Sequence, residues 1–81
     1  MKKIYLICYV DLSDNTKGVI CASENEPRNM TQGAKDSIIE WLQSTETLTK
    51  EEILDIIGGL RQGISTTTAD YEIFTEETFI Y

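Results

Sequence analysis

Histidine is absent from the 81 residues, and several other groups are scarce: two Cys, one Pro, and seven Lys plus Arg against fourteen Asp plus Glu. Each shortage excludes something. Without histidine no Ser-His or Cys-His nucleophilic couple can form, and the commonest transition-metal ligand is missing. Cys8 and Cys21 supply two thiolates where structural zinc takes four ligands. Neither belongs to a CxxC motif or opens a helix, so redox chemistry has no foothold. Asp11, Ser13, Asp14 and Asn15 carry oxygen ligands but miss the calcium-loop spacing. Gly58-Gly59 follows no strand and matches no phosphate-binding loop. Carboxylate pairs exist (Glu51 with Asp55, Glu76 with Glu77), yet acid–base hydrolysis needs a cleft that so short a chain rarely builds. The expectation is a non-enzymatic protein without metal or cofactor.

Long apolar runs are missing too. Nothing approaches the ~20 residues that span a bilayer. Met1-Lys2-Lys3 leads into an apolar stretch too short for a signal peptide. A cytoplasmic chain that avoids membranes, with free thiols, is expected.

Charge is lopsided. Residues 1–45 hold six acids and five bases, whereas residues 46–81 hold eight acids and two bases, so −6 of the net −7 lies in the second part. Such a surface repels phosphate backbones and anionic membranes and attracts basic partners. No direct nucleic-acid binding is expected.

What is present points to an α+β fold. Ile4, Leu6, Cys8 and Val10 alternate with Tyr5, Ile7 and Tyr9, the pattern of a central strand, and GVICAS (18–23) forms a second. Asp and Asn in the intervening LSDNTK favour a turn. A turn centred on Asp14-Asn15 sets Val10 opposite Val19 and Cys8 opposite Cys21. Met30, Ala34, Ile38, Trp41 and Leu42 give an apolar stripe on a helix from Thr31 to Ser44. Thr49 and Glu52 form a capping box, and Leu48 with Ile53 a hydrophobic staple, opening a second helix that stops near Gly63. Its inward set reads Ile53, Leu54, Ile56, Ile57 and Leu60. ISTTTADYEIF (64–74) reads as one long third strand, with TEETFIY its continuation, a fourth strand or a tail. The predicted architecture is β-β-α-α-β: a three-stranded sheet, or four-stranded if the C-terminal segment pairs separately, with both helices on one face. A third strand entering beside the first lies parallel to it, order 2-1-3; an all-antiparallel sheet is the alternative.

Function therefore rests on surface. Asp70 and Glu72 share one face of the third strand, with Glu76, Glu77 and the helix-two acids Glu51, Glu52 and Asp55 extending an acidic band. Phe74, Phe79 and Tyr81 stand beside it as apolar anchors. Acid to steer and aromatics to grip suit a basic protein surface. The same residues also serve if the acids only solubilise the domain and the aromatics complete its core. The reading is a small acidic protein that binds and inhibits or neutralises a basic, nucleic-acid-binding protein, of the phage anti-defence, antitoxin or immunity type. In its strongest form carboxylates mimic nucleic-acid phosphates. The alternative is a homodimeric assembly module, joined through a Thr66–Thr68 edge or the C-terminal aromatics.

Overall fold

A computed structural model describes residues 2–80. The elements are β1 (Lys2–Asp11), β2 (Lys17–Ser23), a short 3-10 turn (Pro27–Asn29), α1 (Gln32–Thr45), α2 (Lys50–Arg61), β3 (Thr66–Thr67) and β4 (Tyr71–Ile80). The fold is α+β, with a four-stranded sheet in the order β2-β1-β4-β3.

Local chemistry explains where each helix begins and ends. Thr31 caps α1 by accepting the Ala34 N–H at 3.2 Å. Thr49 and Glu52 form the expected capping box: Thr49 Oγ1 accepts the Glu52 N–H, and the Glu52 carboxylate accepts the Thr49 N–H at 3.0 Å. At the other end of α2, Gly63 sits at φ +77°, its N–H on the Leu60 carbonyl and the Ile64 N–H on the Gly59 carbonyl. That left-handed residue with two reversed hydrogen bonds is a Schellman stop.

Both helices pack on the same sheet face. Ile7 and Ile73 from the sheet meet Met30, Ala34, Ile38, Leu42, Ile53, Ile56, Ile57 and Leu60. Burying each of the large aliphatics stabilises by about 1.5–3 kcal/mol. Leu54, expected to point inward, is 52% exposed. It follows Ile53 directly, and a 100° step carries it off the buried stripe. Tyr9, Trp41 and Tyr71 extend the core as an aromatic group, with centroids 4.8, 4.9 and 5.7 Å apart.

Three strand expectations need correction. First, residues 64–74 are not one strand. Thr66–Thr67 form β3, the chain turns over 68–70, and β4 then runs to Ile80, with the C-terminal segment as its continuation. Thr68 makes this turn: its N–H donates to the Tyr71 carbonyl at 2.7 Å, and its hydroxyl accepts the Tyr71 N–H at 3.1 Å. Second, of the two arrangements the sequence left open, the antiparallel one holds and the parallel one does not: the strand beside β1 runs antiparallel to it, from Lys2↔Ile80 to Asp11↔Tyr71. It is β3, the outer strand, that runs parallel to β1. Asp70 consequently lies in the turn, not on a strand face with Glu72. Third, Cys8 does not face Cys21. A bulge at Ile20 sets Cys8 opposite Val19, Ile7 opposite Cys21 and Val10 opposite Lys17. A bulge places two residues against one and so flips the alternation. Cys21 joins the helix-side core, whereas Cys8 lies on the other face.

Candidate partner-binding surface

The α1–α2 connection brings acids to the sheet edge. Glu46 caps α1, its N–H on the Leu42 carbonyl. Its carboxylate accepts from the Thr68 hydroxyl and, at 3.4 Å, from the Asp70 N–H. This ties the helical layer to the β3–β4 turn. Between α2 and β3 lies an open groove of about 530 Å³, with Glu46, Glu52 and Asp55 on one side and Thr66–Ala69 on the other. Leu48 and Ile56 supply its apolar surface. Glu51 is exposed in the first turn of α2, beside the groove but not lining it. Glu51 and Glu52 suit that turn because carboxylates favour the positive end of a helix. Asp70 adjoins through Glu46. Among the described residues no Lys or Arg forms an ion pair with Glu46, Glu51, Glu52, Asp55, Asp70 or Glu72.

The remaining predicted residues lie elsewhere. Strand alternation puts Glu72, Phe74 and Glu76 on the sheet face away from the helices, and Glu77 and Phe79 on the helix side. Glu76 ion-pairs with Lys17 on β2, whose Nζ also stands 5.5 Å from the Phe74 ring centroid. This clasp closes over Cys8, which is fully buried and directs its Sγ to Glu76 Oε2 at 3.9 Å. Burial, then the Glu76 carboxylate, pushes the Cys8 thiol above its ordinary value. Burial likewise raises Cys21. Glu77 pairs with Lys3 at 3.0 Å. The Glu77 and Glu76 carboxylates hold the Lys3 and Lys17 ammonium groups above their usual range. Phe79 is 50% exposed beyond the helices; Tyr81 lies outside the described residues.

The expected acidic band is thus divided. Glu52 and Asp55, with Asp70 adjoining, gather around the α2–β3 groove, Glu72 stands on the opposite sheet face, and Glu76 and Glu77 sit farther along β4, each held by a lysine. Glu46 was not singled out in the sequence, because its place in the site depends on a contact 22 residues away with Thr68. No local spacing encodes that contact. Among the described residues, no three His, Cys, Asp or Glu side chains come together to hold a metal ion, and no helix is long and apolar enough to cross a membrane.

No protein-family model matches the chain, and comparison with curated proteins and with solved structures gave no significant match.

Proposed function

We propose that the protein is a non-enzymatic binding protein that docks a basic protein partner at the α2–β3 groove and thereby inhibits or neutralises it. The observation carrying this reading is the groove itself: Glu46, Glu52 and Asp55 line it, and among the described residues no Lys or Arg pairs with them. In a chain of net charge −7, such carboxylates steer a Lys- or Arg-rich surface and suppress wrong partners. Beside them, Thr66 and Thr67 form an edge strand whose outer side is open to an extended segment. A nucleic-acid-binding protein presents suitable basic chemistry, and occupation of its basic site would block the nucleic acid. Phage anti-defence, antitoxin and immunity proteins work in this manner, and the assignment to that group rests on size and acidity alone.

The test is a tagged pull-down from nuclease-treated lysate at low and moderate salt, run beside an E52Q/D55N/D70N variant. Gln at position 52 retains an acceptor for the capping box. A basic protein captured in equal proportion by the native chain, released by salt and missed by the variant, supports the reading. Equal capture by both proteins, or a partner indifferent to salt, refutes it.

A further inference from the structure

β4 is ten residues long, but β3 pairs only with its Glu72 and Ile73. The Thr68–Tyr71 hydrogen bonds direct the backbone of Tyr71 away from β1 and toward β3. In an antiparallel ladder alternate residues point the same way, so Ile73, Thr75, Glu77 and Phe79 also face outward. Thr66 pairs with Ile73, and among the described residues no strand lies beyond it. The outward N–H and C=O groups of Thr75, Glu77 and Phe79 therefore form an open edge.

Proteins usually blunt such an edge with proline, a bulge or a free charge. β4 has no proline, and its register with β1 is unbroken from Tyr71 to Ile80. Its two carboxylates near the edge are already held by Lys17 and Lys3 of the same chain. Ile80 is 53% exposed and Phe79 50%.

We propose that this edge pairs with the same edge of a second copy, giving a two-fold homodimer with one continuous sheet. The charge pattern selects both occupant and register. With Thr78 on the two-fold axis, Glu77 faces Phe79 of the second copy and Glu76 faces Ile80. No carboxylate meets another, and both exposed apolar residues are covered. With Glu77 on the axis, two carboxylates would face each other. That register also slides each strand toward the β3 that already occupies Ile73 of the other copy. Association suits a chain of this size, whose single core supplies little stability. The site is separate from the α2–β3 groove, and its salt dependence has the opposite sign. Two chains of like net charge repel, so added salt strengthens the dimer, whereas it weakens capture of a basic partner.

Sedimentation equilibrium on the full chain tests this. The mass should rise with concentration toward twice that of the monomer, and more readily at about 0.15 M than at about 0.01 M ionic strength. F79P removes one outward N–H without touching the β1 ladder, and should raise the dimer dissociation constant at least about tenfold. T78C should cross-link two copies on oxidation, because facing residues at a non-hydrogen-bonded antiparallel position lie about 4.5 Å apart, within disulfide reach. T67C on β3 should not. T78C reads a gain, so it decides the matter even if F79P fails to fold. A monomer at every concentration, or a dimer in which T78C stays uncross-linked, overturns the proposal.

Discussion

The ring of Tyr9 lies across Gly18, its antiparallel neighbour on β2, and occupies the space a Cβ at that position would need. Only glycine leaves room there. The same ring stacks at 4.8 Å on Trp41, so the missing side chain on β2 lets β1 reach α1. Gly18→Val should push Tyr9 out of the aromatic group and destabilise the fold by about 1–3 kcal/mol. Chemical denaturation measures the loss, and a changed Trp41 emission in the folded state reports the displaced ring. An unchanged midpoint with unchanged emission would show that Tyr9 moves aside freely.

The cysteines bracket the β1–β2 turn in sequence yet serve different faces, since the Ile20 bulge leaves Cys8 beneath the Lys17–Glu76 clasp and Cys21 against the helix-side core. Oxidation of the folded protein should form no intramolecular disulfide, and both thiols should titrate after unfolding. Half-buried Cys21 should react with a thiol reagent before fully buried Cys8. K17A, by opening the clasp, should speed the Cys8 reaction selectively. Recovery of fewer than two thiols from oxidised monomer would contradict the register.

Which features the sequence disclosed follows from the range of the forces involved. The Thr49–Glu52 box, the Leu48 and Ile53 pair, the Gly63 stop and the α1 stripe depend on neighbours within about one helical turn, and all are legible in the chain. The bulge at Ile20 is not, because GVICAS alternates as well without it and only packing against α1 decides. The β3–β4 turn escaped for a related reason. Thr68-Ala69-Asp70 lacks the Gly or Asn that marks tight hairpins, and Thr68 makes the turn with its side chain. Missing that reversal inverts the direction of the strand beside β1. The acidic site divided for the same cause: with the turn in place, Asp70 moves toward Glu46 and the helices, leaving Glu76 and Glu77 farther along β4.

Two glycines of the α2 region should respond oppositely to the same substitution. At Gly58, inside the helix, an added Cβ meets nothing within 4 Å. Gly58→Ala should stabilise by about 0.5–1 kcal/mol. At Gly63, φ +77° lies in the left-handed region that favours glycine, and Gly63→Ala should destabilise by about 1 kcal/mol through strain in the Schellman stop. Thermal midpoints should shift by roughly 4–8 °C per kcal/mol in a domain of this size. Shifts of the same sign in both variants would contradict the assignment of Gly58 to the helix interior.

Alkaline pH should destabilise the protein in stages. The folded state raises Cys8 and Cys21 from 9.0, chiefly by burial, and Tyr71 from 10.0, again chiefly by burial. Hydrogen bonds from Lys3 to Glu77 and from Lys17 to Glu76 raise those lysines from 10.5. In every case the folded chain keeps its proton to a higher pH than the unfolded chain. Unfolding then releases protons, and stability falls as pH rises. For the cysteines the fall starts near 9.0, where unfolded thiols ionise while buried ones stay neutral; for the lysines it starts near 10.5, where unfolded lysines lose their proton, and is complete only once the ion pairs lose their cation. Thermal unfolding followed by circular dichroism should give a midpoint that declines above pH 9. A C8A/C21A variant should delay that decline toward the tyrosine and lysine range. E76Q should shrink the later part and leave the early part in place, because burial, not Glu76, is the larger influence on Cys8. Asp14 works in the opposite direction: hydrogen bonds from Thr16 lower it from 3.8, so its contribution disappears only as pH falls below that value. A midpoint that is flat or rising between pH 9 and 11 would mean that Cys8 and Cys21 are not shielded as the bulged register requires.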